Sequence, residues 1–344
     1  MTDVCQRVCL TEVGFERDLE PDFEVREPPV PDPGQVLLRV HACGVCHRDL
    51  IDRAGRFRFL QLPRVPGHEA AGEVVAVGDG VTGFSVGDHA ATMHRDSCGD
   101  CPACASGDVS LCQSAAWVLG LLADGGYARH LLVPERALYP VPRDLPFAHA
   151  AIMHCTFGTA WRSLVTVGGL QAGERVLVTG ANGGVGAAAV QIAHHRGADT
   201  IAVVRDAAHV DFLRGLGADR VVVDTDGRFH KQGVAGVDLA LDCVGSPTIN
   251  AALRTLRVGG RAVVVGNVSE ARASINVGLL IVFGLRLIGA GGATPDDMAA
   301  LLAYHAERPF EVVIEETLPL EQADAAQRRV RAGGLRGRLV LEMP

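Results

Sequence analysis

Along the chain, the spacing of apolar positions changes once in a way that divides it in two. After a proline-rich stretch at residues 28–33, an alternating apolar run covers 35–42, and short segments of the same two-residue period follow to about Pro142, separated by Gly-Asp and Gly-Val turns. This half predicts a mostly β unit. From about Ala148 the period lengthens towards four. An apolar helix is predicted first, then a strand over 175–179, a glycine turn, and an alanine-rich helix over 185–195. Strands at 200–204, 220–223, 237–241 and 261–265 alternate with helices at 207–216 and 249–256. A strand at 285–290 and a helix at 295–307 complete the series. Strands alternating with helices at this spacing make right-handed crossovers and a parallel, doubly wound sheet. The last stretch returns to short strands, and 337–341 reads as a closing strand that rejoins the first half. The fold class is therefore α/β, with domains expected at 1–155 and 156–304 and a return over 305–344. A length of 344 residues suits two cores better than one.

Composition narrows the function. A formal net charge of −8 leaves no basic stripe to displace phosphate counterions, so no nucleic-acid partner is expected. No apolar run reaches the ~18 residues of a membrane span. The first residues, MTDVCQRVCLTEVG, lack the basic-then-apolar pattern of a secretory signal, which predicts a cytoplasmic protein with no membrane partner. Ten cysteines without a signal, some at C-x-x-C spacing, point to metal ligation before disulfides.

The chemistry sits in three places. Gly180-Ala-Asn-Gly183-Gly184-Val185-Gly186 joins a predicted strand to a predicted helix, where glycines admit a pyrophosphate and the helix N-terminus faces it. At the end of the next strand, NAD enzymes carry an acid for the ribose 2′-hydroxyl. Arg205 stands there and suits a 2′-phosphate, favouring NADP(H) over NAD(H); a register shift of one residue would place Asp206 there and reverse the preference. Cys98, Cys101, Cys104 and Cys112 present four thiolates in one loop, the usual shell of a structural zinc.

These motifs, with Gly67-His68-Glu69-Ala-Ala-Gly72 running on to Val77-Gly78, resemble the zinc-dependent alcohol dehydrogenase branch of the medium-chain dehydrogenases/reductases over nearly the whole chain. The resemblance implies a GroES-like catalytic domain, a Rossmann domain and a second, catalytic zinc on Cys46, His68 and Cys155. One imidazole and two thiolates agree with an open site that keeps a place for a substrate oxygen. His154 competes with Cys155 as the third ligand, and an apolar setting would also suit Cys155 as a core residue. The same resemblance gives Asp49 the nitrogen of the ligand histidine not used for metal, or else a helix cap. Glu69 approaches the metal or is a buried structural partner. His47 meets the cofactor phosphates or is an exposed loop residue.

The chain departs from the alcohol dehydrogenase pattern where a hydroxyl and a histidine usually carry the substrate proton: Arg48 and Ile51 occupy those places, and neither passes a proton on. The tract from Cys43 to Leu50, with Val178-Thr-Gly180-Ala-Asn-Gly, Val265-Gly-Asn267-Val and Ile288-Gly289-Ala, resembles the acryloyl-CoA-reductase-type branch. The leading expectation is hydride transfer between a nicotinamide cofactor and an alcohol or carbonyl substrate. Reduction of an activated C=C by NADPH, with Arg48 beside an enolate or thioester oxygen, is the alternative. A catalytically silent nicotinamide-binding protein is the reading of another class. The partner expected is a small-molecule substrate, and the apolar stretch 279–288 predicts a homodimer or homotetramer.

Overall fold

The computed structural model describes residues 5–114, 117–269 and 271–343, so the first four residues of the amino-terminal stretch lie outside it. The chain folds into two compact units. One comprises Met1–Cys155, Ile314–Gly333 and Arg338–Pro344, the other Thr156–Val313 and Gly334–Gly337.

The first unit is built on a long strand, Gln35–Val45, whose apolar positions are buried on both faces. It pairs antiparallel with Glu69–Val77, His130–Pro134 and the closing strand Arg338–Glu342. His89–Thr92 and Leu138–Pro140 extend the sheet on one side, and Ile314–Pro319 on the other. The closing strand expected at 337–341 is thus present, one residue later, in the first unit.

The second unit carries six parallel strands in the order Arg220–Val223, Asp199–Val204, Arg175–Thr179, Val237–Asp242, Leu256–Val264, Arg286–Gly289. The chain winds outwards in both directions from Arg175–Thr179. A doubly wound sheet binds ligands outside the carboxyl end of the strand at such a switch point. Leu177, Val237, Ala240, Ala252 and Leu253 are fully or almost fully buried in its core.

Three local readings change. The helix expected over 207–216 is a tight 3₁₀ turn, Ala207–His209, followed by an α-helix, Val210–Gly215. The Asp206 carboxylate accepts from Ala208 N at 2.9 Å and closes that first turn. Leu256 ends no helix. It is already extended and opens the strand that was expected to begin at residue 261. The apolar helix Phe147–Met153 runs into a wider π-type turn, His154–Gly158, a form often met at functional sites, and Cys155 lies on it.

The second unit also runs on beyond residue 304. Glu311 N donates to Gln191 Oε1 at 2.8 Å and Gln191 Nε2 donates back to the Glu311 carbonyl at 2.9 Å. These bonds hold the chain against the helix Gly184–His195, and the return to the first unit begins at Ile314.

Candidate active site and metal centres

The four-cysteine loop is folded by its own backbone. Gly99 takes a positive φ of 83°, Pro102 starts the short helix Pro102–Ala105, and a 3₁₀ turn, Val109–Leu111, delivers Cys112. Cys98 N donates to Cys112 Sγ and Cys101 N to Cys98 Sγ, each at 3.4 Å. The sulfurs of Cys98 and Cys104 are 3.9 Å apart, those of Cys101 and Cys104 3.5 Å, and those of Cys98 and Cys112 3.6 Å. A tetrahedron with zinc–sulfur bonds of about 2.3 Å has edges of about 3.8 Å, so the donor set fits a closed zinc shell.

The second group brings together residues far apart in sequence. Cys46 follows the strand Gln35–Val45 and caps the helix His47–Arg53. His68 follows Gly67, whose φ of 94° would strain a side chain; a Cβ there would also stand 2.4 Å from the Tyr127 ring. Cys155 comes from the π-type turn. Cys46 Sγ lies 3.8 Å from Cys155 Sγ, and Cys155 Sγ lies 3.6 Å from His68 Nε2. A zinc with sulfur bonds of about 2.3 Å and a nitrogen bond of about 2.05 Å asks for separations of about 3.8 and 3.6 Å. Glu69 completes a group whose donor atoms all lie within 4.8 Å of one another. His154 is not in it; its ring packs 5.3 Å from that of His94.

Asp49 combines both roles considered for it, on separate oxygens. Its Oδ1 is 2.8 Å from His68 Nδ1, which leaves Nε2 on the side of the two sulfurs. Its Oδ2 accepts from Cys46 N at 2.9 Å and caps the helix. Burial, the largest single influence, lowers the His68 pKa, but the charge and hydrogen bond of Asp49 together with the charge of Cys46 push the imidazole up to about 10. The Cys46 thiol is pulled well below the ordinary range, first by its hydrogen bond with Cys155 and then by the charges of Arg338 and His68. A thiolate ready at Cys46 suits metal ligation.

Glu69 likewise has two neighbours. Its Oε1 is 3.8 Å from His68 Nε2, and Arg338 Nη2 donates to that same oxygen at 2.8 Å. Burial pushes the Glu69 carboxyl up to about 7 against the opposing pull of Arg338. Sequence reasoning missed Arg338. Its Nη2 also lies 3.3 Å from Cys46 Sγ and 3.5 Å from Cys155 Sγ. The available signal was a charged residue opening the closing strand ahead of the apolar run Leu339–Leu341: one position before the Leu339–Val45 pair, it falls beside Cys46. Tyr127 was missed too; its hydroxyl donates to Asp49 Oδ2 at 3.2 Å.

Arg48 is mostly buried. Its Nη2 donates to the Leu119 carbonyl at 3.1 Å and pairs with Asp52 Oδ2 at 3.1 Å, while Nη1 is buried with no hydrogen-bond partner among the described residues. His47 is the half-buried first residue of the same helix.

In the second unit, Gly180 follows the strand Arg175–Thr179 with a φ of 59°, and Gly183 caps the helix that Gly184, Val185 and Gly186 begin. A Cβ on Gly186 would stand 2.3 Å from the Gly180 carbonyl oxygen, so the turn closes only around glycine. At Gly183 a Cβ would meet nothing nearer than 3.5 Å. Packing does not demand glycine there, whereas a pyrophosphate over the helix N-terminus would need the space. Arg205 is exposed as the first residue after the strand Asp199–Val204, and the Asp206 carboxylate is turned to its own backbone.

A closed thiolate shell and an open Cys/His/Cys group in one unit, with a glycine-turn doubly wound sheet in the other, define the zinc-containing, nicotinamide-dependent oxidoreductases of the medium-chain type. Comparison with known proteins agrees. Residues 32–143 match the alcohol dehydrogenase GroES-like domain, and residues 184–307 match the zinc-binding dehydrogenase family. The acryloyl-coenzyme A reductase of Sulfurisphaera tokodaii is 31% identical over 323 residues, 93% of this chain and 96% of that protein. An alcohol dehydrogenase of Geobacillus stearothermophilus is 33% identical, over 93% of this chain and 95% of its own length. The crystal structure of AibC superposes with a TM-score of 0.90 at 40% identity, covering 99% of this chain and 96% of that one. The chain belongs to the zinc-binding alcohol dehydrogenase family of medium-chain dehydrogenases/reductases, and it is an NAD(P)-dependent enzyme of that family. No described helix is long and apolar enough to cross a membrane.

Proposed function

We propose that the enzyme reduces the C=C bond of an α,β-unsaturated acyl thioester with NADPH. The observation that carries this reading is Arg48: a cation two residues after Cys46, with a buried Nη1 that has no hydrogen-bond partner among the described residues, where proton-passing chemistry needs a hydroxyl. The similarity to acryloyl-coenzyme A reductases supports it.

In this reading Cys46, His68 and Cys155 hold a zinc, which supplies Lewis-acid polarisation of the substrate carbonyl. Asp49 fixes the His68 tautomer so that Nε2 faces the metal, and Arg338 holds the Glu69 carboxylate beside the ligand group. The glycine turn at residues 180–186 and Arg205 bind the dinucleotide, whose nicotinamide supplies the hydride, and His47 contacts its phosphates. Addition of hydride to the β-carbon of an enoyl thioester leaves negative charge on the carbonyl oxygen. The Arg48 guanidinium, with its fork of N–H donors, stabilises that charge. Its charge already acts on His68, opposing the rise that Asp49 causes. The solvent then protonates the α-carbon.

A second reading, alcohol and carbonyl interconversion, rests on the complete Cys/His/Cys set with its Asp49 partner and on the similarity to alcohol dehydrogenases. One assay separates the two. NADPH oxidation by the zinc-loaded protein is followed with short enoyl-CoA thioesters and with the corresponding aldehydes, in wild type and in Arg48→Thr. Loss of about ten- to a thousandfold on thioesters, the scale of one oxyanion donor, with aldehyde turnover spared, is expected. Parallel losses on both substrates, or none, would contradict the role of Arg48.

The apolar helix Val277–Phe283, with Ile281 and Val282 each 75% exposed, lies next in sequence to the edge strand Arg286–Gly289. An apolar surface at a sheet edge supports a homodimer or homotetramer built on this side.

A further inference from the structure

The four residues Gly334–Gly337 pack with the second unit, although the residues on either side belong to the first. Gly337 N donates to the Asn182 carbonyl at 2.8 Å, Asn182 Nδ2 donates to the Leu335 carbonyl at 2.8 Å, and Gly337 bridges to Gly183. The segment is therefore a strap tied to the glycine turn.

Arg336, exposed at the middle of this strap, reaches the other turn of the dinucleotide site. Its Nη2 donates to the Ala208 carbonyl at 3.4 Å, and its guanidinium stands 5.6 Å from the centre of the Phe212 ring. Ala208 lies three residues beyond Arg205, in the turn that follows the second strand of the series, and the ribose 2′ position of a bound dinucleotide falls at the end of that strand. The only carboxylate in residues 205–208, that of Asp206, is spent on Ala208 N. Arg336 thus reaches, from more than a hundred positions along the chain, the short turn that follows Arg205.

We propose that Arg336 is a second cation of the 2′-phosphate subsite, acting with Arg205 to select NADP(H). This rests on the NADP(H) reading above. A guanidinium has five donors in one plane, so Arg336 can keep the Ala208 carbonyl and still take phosphate oxygens. Stacking against Phe212 holds the long side chain over the turn.

Calorimetric titration of the zinc-loaded full chain tests this without turnover, using NADPH, NADH and the fragments 2′,5′-ADP and 5′-AMP at one ionic strength. Arg336→Ala is expected to weaken NADPH and 2′,5′-ADP by about ten- to thirtyfold, the scale of one charge-assisted phosphate contact. NADH and 5′-AMP are expected to change by less than about threefold, since they offer no such contact, and Arg336→Lys is expected to recover part of the loss. Equal losses for NADPH and NADH would make the strap a structural clamp and overturn the inference, as would no loss at all in a wild type that prefers NADPH. Equal affinity of the wild type for NADPH and NADH would remove the NADP(H) reading and this inference together.

Discussion

The two metal centres both draw on cysteine sulfurs and are built in opposite ways. Cys98, Cys101, Cys104 and Cys112 sit in a single loop whose own N–H groups point at their sulfurs. Cys46 and Cys155 are 109 residues apart, and Arg338, which touches both sulfurs, is 292 residues from Cys46. The local centre is shaped by its backbone, and the dispersed one by buried side chains: Asp49 on His68, Tyr127 on Asp49, Arg338 on Glu69. Charge differs as well. Four thiolates around one zinc leave a net negative shell with no open place, whereas two thiolates and an imidazole balance the ion and leave one. The first arrangement suits folding and the second suits chemistry.

The comparison is broken most severely at the local centre. Cys101→Ser removes one of the four sulfurs around which the loop closes, and structural zinc supplies folding free energy outright. The expected outcome is loss of most soluble, folded protein, read as recovery and melting temperature. A variant as stable as wild type would show that the loop folds without its metal.

The dispersed centre should fail more gently when its supports are touched. Asp49→Asn keeps the shape but gives up the carboxylate that fixes the His68 tautomer. Metal affinity or turnover should fall by about ten- to a hundredfold with the fold kept, the usual effect of losing such an outer partner. Metal affinity and turnover within a factor of two of wild type would place Asp49 as a helix cap alone.

The smallest effect concerns Asp52, the partner of Arg48. Burial pushes its carboxyl from 3.8 to about 6, against the opposing charge of Arg48. The folded state then holds a proton that the unfolded state has released, so this group's contribution to stability is full below about pH 4 and is lost as pH rises through about 6. Asp52→Asn removes that loss, and the melting temperature of the variant relative to wild type should improve from pH 4 to pH 7. A difference independent of pH would contradict the assignment.

Local patterns were legible in the sequence because their causes are local. The strand Arg175–Thr179, the helix Pro295–Glu307 and the cysteine loop follow from periodicity and spacing within a few residues. The dinucleotide turn was legible for the same reason. Arg338 and Tyr127 were not, because their roles depend on strand register and on a partner far along the chain. The later start of the return at Ile314 escaped for a similar reason: it depends on Gln191 binding Glu311. The π-type turn carrying Cys155 was not legible, since apolar periodicity does not distinguish it from α-helix over a single turn.

Counting metal tests the division between the two centres most directly. Zinc per chain is measured by mass spectrometry on wild type and on His68→Ala, alongside melting temperature and NADPH turnover. The account predicts about two zinc ions in wild type. It predicts about one in His68→Ala, with the fold retained and turnover lost. One zinc in wild type, unchanged in His68→Ala, would contradict it.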